Sequence, residues 1–137
     1  MAGHSATPLV RKVGVKAGHQ LLLFHAPSGW AIPDLPGGVR TARRLTATPV
    51  DVAVAFFCDF AALETSVASL AEAIRPHGAL WLAWPRRAAG HESDITDRAV
   101  RSAALPLGLV DVKVAALDDD WSALKFVWRT ELRALRV

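Results

Sequence analysis

The sequence predicts a three-layer α/β domain with a mainly parallel sheet and a C-terminal antiparallel hairpin. Short apolar runs rich in Val, Leu and Phe alternate with segments whose apolar residues recur at helical spacing. Right-handed crossovers between such strands place helices on both faces of the sheet. The last two runs are separated only by a short acidic turn, which is typical of a hairpin.

Length and composition indicate one domain over residues 1–137, with residues 1–6 flexible and residues 130–137 forming a tail. The chain is 52% hydrophobic and 21% charged, which excludes a disordered protein. A single cysteine, Cys58, excludes an intrachain disulfide framework and multi-cysteine metal sites. No apolar run is long enough to span a membrane and no signal-peptide pattern is present, so we expect a cytoplasmic protein.

The first third of the chain predicts short elements. Thr7 as N-cap and Pro8 in the first turn predict a short helix over residues 8–13. The apolar run Gln20–His25 predicts a strand buried on both faces. Prolines limit the next segment to one or two helical turns, and Val39–Ala42 is the second strand.

The middle of the chain carries the clearest signals. Val50–Phe57 predicts a buried strand. Asp59 is the expected N-cap of a helix over Phe60–Arg75, whose apolar residues are spaced by three and four positions. Ala79–Trp84 follows as another buried strand.

The last third predicts a helix and the hairpin. Asp94 is the expected cap of a helix from Ile95 to Leu105. Leu109–Leu117 and Ser122–Arg129 both alternate between apolar and charged residues. In the first of these strands, we expect the valines on one face and the charged side chains on the other.

The order of these elements, and the local text, resemble the class I methyltransferase variant of the Rossmann fold. The segments that carry the likeness are VDVAVAFF, IRPHGALWLAWP, ALPLGLVDVKV and WSALKFVWR, and the turn Ile74–Gly78 is similar to the Leu-x-Pro-Gly-Gly turn of that class. More closely, the chain resembles a small bacterial, actinobacterial-type family of single-domain, methyltransferase-like proteins without an established activity. Its marks are Thr7-Pro8-Leu9, Gly18-His19, Ala26-Pro27-x-Gly29, Leu80-Trp81-x-Ala83-Trp84-Pro85 and Asp119-x-Trp121-Ser122-Ala123-Leu124. This likeness spans residues 7–129 and implies a Rossmann-like fold, but it assigns no catalytic residue.

The sequence also departs from a working methyltransferase of that class. The turn His25–Gly29 has one glycine, and Pro27 removes a backbone donor where S-adenosylmethionine would need close backbone approach. The segment before the second strand is too short for a full helix. That strand ends in Thr41–Arg44, without the acid that holds the ribose hydroxyls. We therefore predict no cofactor and disfavour S-adenosylmethionine-dependent methylation.

Ligands of open α/β sheets bind beyond the carboxyl ends of the strands. The polar and aromatic residues expected at that edge are His25, Ser28, Trp30, Arg43, Cys58, Asp59, Trp84, Arg86 and Arg87. Arginines at such an edge suit a phosphate or carboxylate anion. No metal site is expected, because the five histidines are dispersed and His91 with Glu92 has no further spaced ligand.

Several of these candidates also have a structural explanation. Cys58 is typical of a small buried apolar residue, and Asp59 of a helix cap. Core packing is expected for Trp81, Trp84 and Trp128. Trp30 and Trp121 are freer to line a ligand site or a dimer contact.

The leading hypothesis is a non-catalytic binding or regulatory module on a degenerate methyltransferase-like fold. One alternative is a small enzyme or anionic-ligand binder that uses His25, Cys58, Asp59 and Arg86 in a strand-end pocket. Another is nucleic-acid binding through residues 1–50, which carry six basic residues and one acid, although we do not favour nucleic acid as the partner. We expect a protein or small anionic ligand as partner, a homodimer contact through the C-terminal hairpin, and no membrane.

Overall fold

The computed structural model describes residues 7–86 and 93–133, which contain a six-stranded sheet with helices on both faces. The strands are β1 (Gln20–Phe24), β2 (Arg40–Ala42), β3 (Val52–Phe56), β4 (Ala79–Pro85), β5 (Leu109–Ala116) and β6 (Trp121–Trp128). The helices are α1 (Leu9–Val13), α2 (Phe60–Ala73), α3 (Asp97–Ala104) and α4 (Thr130–Arg133), with a 3-10 turn over Leu105–Leu107. The predicted α/β fold class is confirmed. Within the predicted tail, residues 130–133 form a helical turn, while residues 134–137 and 1–6 lie outside the described ranges.

The sheet has the strand order β2-β1-β3-β4-β6-β5. β2, β1, β3 and β4 are parallel, whereas β6 is antiparallel to both β4 and β5. The chain thus builds outward from β1 in one direction through β2 and then in the other direction through β3. This reversal between β1 and β3 is the topological switch point, where Rossmann-like sheets bind their ligands.

Two apolar clusters pack against the sheet, one on each face. The first lies beneath α2 and α3, and the second lies beneath α1 and the connection that contains Ile32. Trp81, Trp84 and Trp128 are buried in these clusters, as expected for core residues. The indole nitrogens of Trp81 and Trp128 donate to the carbonyl oxygens of Val13 and Ala71, at 3.0 and 2.8 Å. These bonds satisfy a polar atom that burial would otherwise leave without a partner.

Two carboxylates meet the amino-terminal end of α2. Asp59 accepts a hydrogen bond from the Ala62 amide at 2.9 Å, which confirms the predicted cap. Asp94, predicted to cap the following helix, instead accepts from the Phe60 amide at 2.8 Å. The prediction for Asp94 was therefore wrong, because a tertiary contact with α2 takes its carboxylate.

Two other local predictions are corrected, and one upper limit holds. α3 begins later than expected, at Asp97, and the hydroxyl of its N-cap Thr96 accepts from Ala99 at 3.1 Å. The N-cap of α1 is Pro8 rather than Thr7, and it makes no side-chain capping bond. Residues 25–39, where at most one or two helical turns were expected, contain no helix, which agrees with that limit.

A glycine is required where α2 leads into β4. A Cβ added at Gly78 would lie 2.6 Å from the carbonyl oxygen of Val50 and 2.8 Å from that of Ile74. The close approach lets the chain turn directly from the helix into the central strand. The close approach explains why position 78 needs a glycine. The same glycine is part of the similarity between this turn and the methyltransferase turn.

β5 does not alternate as regularly as its sequence suggests. The register shifts between Asp111, opposite Phe126, and Lys113, opposite Lys125, so one extra residue, Val112, is inserted. This β-bulge turns Asp111 and Lys113 toward opposite faces, which corrects the prediction that they share one.

Candidate functional site

The carboxyl ends of β1, β3 and β4 form the edge at which a ligand site was predicted. Beyond these ends the chain continues into His25, Phe57 and Arg86, respectively. The strand ends expected to meet do lie at one edge of the sheet, and the side chains there determine what that edge can do.

His25 closes the end of β1 in a strained backbone conformation. Its φ is 59°, in the left-handed region that is uncommon for a residue other than glycine. Its exposed ring stacks on Phe24, with centroids 4.0 Å apart, and meets the edge of Phe57 at 5.6 Å. The imidazole thus lies on an aromatic surface.

Trp30 lies across the end of β3. Its ring packs edge-on against Phe56 at 4.7 Å, and Trp121 packs on the same phenylalanine at 5.0 Å. The indole nitrogen of Trp30 donates to a carboxylate oxygen of Asp118 at 2.9 Å. Trp30 and Trp121, which were predicted to be freer than the core tryptophans, are half-buried and cover one side of the switch point.

Asp118 organises this part of the edge. Besides the Trp30 indole, its carboxylate accepts from the backbone amides of Asp120 and Trp121, at 2.8 and 2.9 Å. Its backbone carbonyl accepts from a guanidinium nitrogen of Arg86 at 3.3 Å. Sequence reasoning treated Asp118 only as part of a turn, because nothing local in an Asp-Asp-Asp run indicates which carboxylate reaches Trp30.

Cys58 and Asp59 follow β3 but form no catalytic arrangement with His25. The Cys58 thiol is exposed, which corrects the expectation that it is buried. Asp59 is engaged in capping α2. In the described parts of the chain, no hydrogen bond joins either side chain to His25.

The remaining predicted residues are distributed between the surface and the core. Ser28 and Arg43 are exposed, the latter just beyond β2. Trp84 is only 9% exposed and packs in the cluster beneath α2 and α3. Arg87 lies outside the described residues, as do His91 and Glu92.

Two grooves elsewhere on the surface are lined by described residues. One, of about 720 Å³, lies between the β2–β3 connection and the end of α2 and includes Thr48, Glu72 and Arg75. The Arg75 guanidinium is held there by Glu72 at 3.0 Å and stacks 3.6 Å from the centre of the Trp128 ring. The other, of about 560 Å³, lies between α1 and β5. Neither groove lies at the predicted edge.

Two further features bear on the class of protein. Among residues 7–86 and 93–133, no three His, Cys, Asp or Glu side chains come together in a way that could hold a metal ion. The helices within the same ranges lack the length and apolarity needed to cross a membrane.

The strand order and the antiparallel last pair define a methyltransferase-like member of the Rossmann-like α/β folds, and solved structures support this class. A provisionally assigned methyltransferase from Thermoplasma acidophilum is similar, with a TM-score of 0.57 and 13% identity over 85% of this chain and 71% of its own. LepI, solved in complex with S-adenosylmethionine, has a TM-score of 0.56 and 14% identity over 90% of this chain. A protein from Bordetella parapertussis provisionally described as exported has a TM-score of 0.58 and 13% identity over 87% of this chain.

These similarities establish the fold alone, because the identities are low. The chain spans 64% of the Bordetella protein and 47% of LepI. No protein-family model and no curated protein sequence matches the chain.

Proposed function

We propose that this protein is a non-catalytic binding or regulatory module on a methyltransferase-like fold that does not use S-adenosylmethionine. The observation that carries the proposal is the connection between β1 and β2. Residues 25–39 contain no helix, and Trp30 within them is fixed across the end of β3 by Phe56 and Asp118. An aromatic side chain therefore covers part of the edge where a Rossmann-like protein would seat its cofactor.

The missing helix matters because of its electrostatics. In Rossmann-like sites the helix after the first strand directs free backbone N–H groups and the positive end of its dipole at the ligand. Here the non-helical segment 25–39, which begins with the one-glycine turn His25–Gly29, takes its place, and the exposed Arg43 follows β2 where an acid would hold a ribose. Neither end of the cofactor finds its usual partners.

The alternative of a small enzyme or anion binder at the same edge has less support. His25 rests on Phe24, Asp59 caps α2, and the Arg86 side chain donates to a backbone carbonyl. A nucleophile needs an adjacent base and a group that orients the base, and these contacts supply neither.

Location in the cytoplasm, expected from the sequence, is part of the proposed role.

Titration with S-adenosylmethionine and S-adenosylhomocysteine tests the proposal through the melting temperature. We expect no increase at about 1 mM of either ligand, because a ligand that binds the native state must raise the melting temperature. A S-adenosylmethionine-binding methyltransferase serves as the positive control. A saturable increase in this protein would overturn the proposal.

The variant Trp30→Ala makes the test sharper. If Trp30 merely blocked an otherwise competent site, its removal would create affinity for the cofactor. We expect Trp30→Ala to remain without a cofactor-induced shift, because the missing helix and ribose acid are unaffected by the substitution. Gain of binding in this variant would show a blocked but intact cofactor site and contradict the proposal.

A further inference from the structure

The fold gathers every lysine of this arginine-rich chain onto one surface. We call this surface the lysine face; it comprises Arg11, Lys12, Lys16, Lys113 and Lys125. The first three come from α1 and the turn after it, and the other two from β5 and β6. About one hundred residues separate the two groups, so their meeting is a consequence of the tertiary fold.

Several independent contacts bring these side chains together. Lys113 and Lys125 are direct partners across β5 and β6. The ammonium group of Lys12 donates to the carbonyl oxygen of Ala116 at 2.9 Å, which ties α1 to β5. Arg11, Lys12 and Lys113 line the same groove of about 560 Å³. Lys16 lies close enough to lower the pKa of Lys125 through charge repulsion.

The bulge in β5 creates the like-charge pair at the centre of this surface. Without the extra residue at Val112, the regular register would place Val112 opposite Lys125 and turn Lys113 to the other face, toward α3. Bulges commonly re-aim a side chain at a functional site. Here the bulge brings two ammonium groups together, although like charges directly opposite each other destabilise a sheet.

No carboxylate compensates this charge within the described residues. The ion pairs in those ranges are formed by Arg75 and Arg101, and none involves a residue of the lysine face. Lys125 also lies 5.9 Å above the centre of the Trp81 ring, which is fully buried. Its partial burial and the neighbouring Lys113 and Lys16 lower its pKa, in that order of importance. An anion bound here would relieve both the repulsion and the cost of desolvation.

The geometry points to a polyphosphate site: we propose that the lysine face binds a small anion with two or more linked phosphate groups. Lysine is a common phosphate ligand that acts as a point charge. A groove of about 560 Å³ is within the usual size of small-molecule sites. Nucleic acid is a weaker fit, because Trp81 beneath Lys125 is buried and offers no face for stacking bases.

This inference rests on the proposed binding role and identifies a ligand class for it. The lysine face lies beside the C-terminal hairpin and not at the switch point, so the two experiments can fail separately. A melting-temperature shift with S-adenosylmethionine would overturn the proposed function and leave polyphosphate binding unaffected. Absence of polyphosphate binding would overturn this inference alone.

Calorimetric titration of the full chain with inorganic pyrophosphate and tripolyphosphate, at constant ionic strength, tests the site. We expect saturable binding of one tripolyphosphate per chain, tighter than that of sulfate. Lys113→Glu should weaken it by at least about tenfold, because it removes one cation and neutralises its partner Lys125. Arg40→Glu is the matched control: it makes the same charge change on exposed β2, at the opposite edge of the sheet, and should retain wild-type affinity.

Nuclear magnetic resonance of protein labelled at lysine Cε locates the ligand. The chain contains four lysines, all on the lysine face, so four signals report on the site. All four signals should shift and saturate together as tripolyphosphate is added. If the remaining signals of Lys113→Glu keep their wild-type dispersion, the variant is folded. Lys113→Met removes the charge without reversing it, so it should weaken binding less than Lys113→Glu. This graded order of affinities tests the role of charge even if one of the two variants is destabilised.

Three results would overturn the inference. One is tripolyphosphate binding no tighter than sulfate. Another is an equal loss of affinity in Arg40→Glu and Lys113→Glu, which would mean unspecific attraction by net charge. The third is binding of duplex DNA at concentrations where tripolyphosphate does not bind. If that binding also showed the steep salt dependence of many phosphate contacts, nucleic acid would be the partner.

Discussion

Trp30 illustrates how one side chain can join two separate parts of the predicted edge. It contributes an apolar ring that packs against Phe56 and an N–H that is satisfied by the Asp118 carboxylate. A hydrogen bond to a carboxylate stabilises more than a neutral one, and half-burial limits competition from water. The stability of the β1–β2 connection is therefore coupled to the turn between β5 and β6.

Trp30→Phe separates the ring from the hydrogen bond. We expect a loss of about 1 kcal/mol in the free energy of unfolding, because the bond to Asp118 is lost while the edge contact with Phe56 remains. Urea denaturation measures the loss. Trp121→Phe is the matched control, since Trp121 contacts the same phenylalanine and its indole N–H makes no hydrogen bond in the described ranges. Equal losses in the two variants would contradict this role for the bond.

Lys125 gives a second prediction at this scale, concerning pH. Burial and neighbouring lysines lower its pKa in the folded state. Between that lowered pKa and the ordinary lysine value of about 10.4, the unfolded chain binds more protons, so stability rises with pH. At neutral pH the charged side chain therefore weakens the fold, and Lys125→Met should raise the midpoint of urea denaturation.

The advantage of Lys125→Met should shrink as pH rises above the lowered pKa of folded Lys125, and should be lost above about 10.4, where Lys125 becomes neutral in both states. Lys125→Arg is the control, because it keeps the charge and should gain no stability at pH 7. A constant difference between Lys125→Met and wild type across this range would mean that packing, not charge, determines the effect.

At the scale of elements, α2 is the main support of the candidate edge. Its N-cap, Asp59, directly follows Cys58, and the carboxylates of Asp59 and Asp94 satisfy two of its first backbone amides. Such ends otherwise leave N–H groups without partners. The carboxylates of Asp59 and Asp94 are thus engaged in stabilising the helix.

Asp59→Ala tests this assignment. We expect a loss of about 1 kcal/mol in the free energy of unfolding, which is typical of a lost N-cap. Asp59→Asn should lose only a fraction of that, because its amide oxygen still accepts from Ala62. Chemical denaturation of both variants provides the comparison. If Asp59→Asn were as unstable as Asp59→Ala, the carboxylate charge would matter more than the capping bond.

The elements also show how far the sequence determines the fold. Alternating buried runs and helical stripes were sufficient to place α2 and the core strands within a few residues, because burial periodicity is a local property. The bulge at Val112 could not be predicted, since the text Val-Asp-Val-Lys-Val alternates perfectly and only its pairing with β6 reveals the extra residue. Asp94 was the predicted cap of α3, but its carboxylate accepts from α2 instead, and the hydroxyl of Thr96 caps α3.

At the scale of the whole molecule, the predicted ligand edge and the lysine face lie in different parts of the structure. The edge follows from topology, so its location could be predicted from the order of elements. The lysine face depends on the packing of α1 against β5 and β6, which no local pattern indicates. The one signal in the sequence is composition: four lysines among sixteen basic residues, two near each end of the chain, converge on one surface.

Assembly is the last property that the whole sheet determines. Within the described residues β5 is an edge strand with no strand paired on its outer side, and Val112 and Val114 are 53% and 65% exposed. We predict that two copies pair through β5, since an exposed apolar edge strand favours addition of another strand. The bulge and Lys113 work against such pairing, so the dimer should be weak, and its fraction should increase with protein concentration.

Sedimentation velocity over a concentration series measures this dimer. Val114→Glu should shift the protein to monomer, because it places a charge at the centre of the apolar edge. Thr41→Glu is the matched control: Thr41 is exposed on β2, at the opposite edge of the sheet from β5, and its replacement should leave the dimer unchanged. Two results would exclude association through β5: a wild-type protein that stays monomeric at millimolar concentration, or a dimer that persists in Val114→Glu. In that case the role of the bulge would be to prevent another strand from pairing with β5.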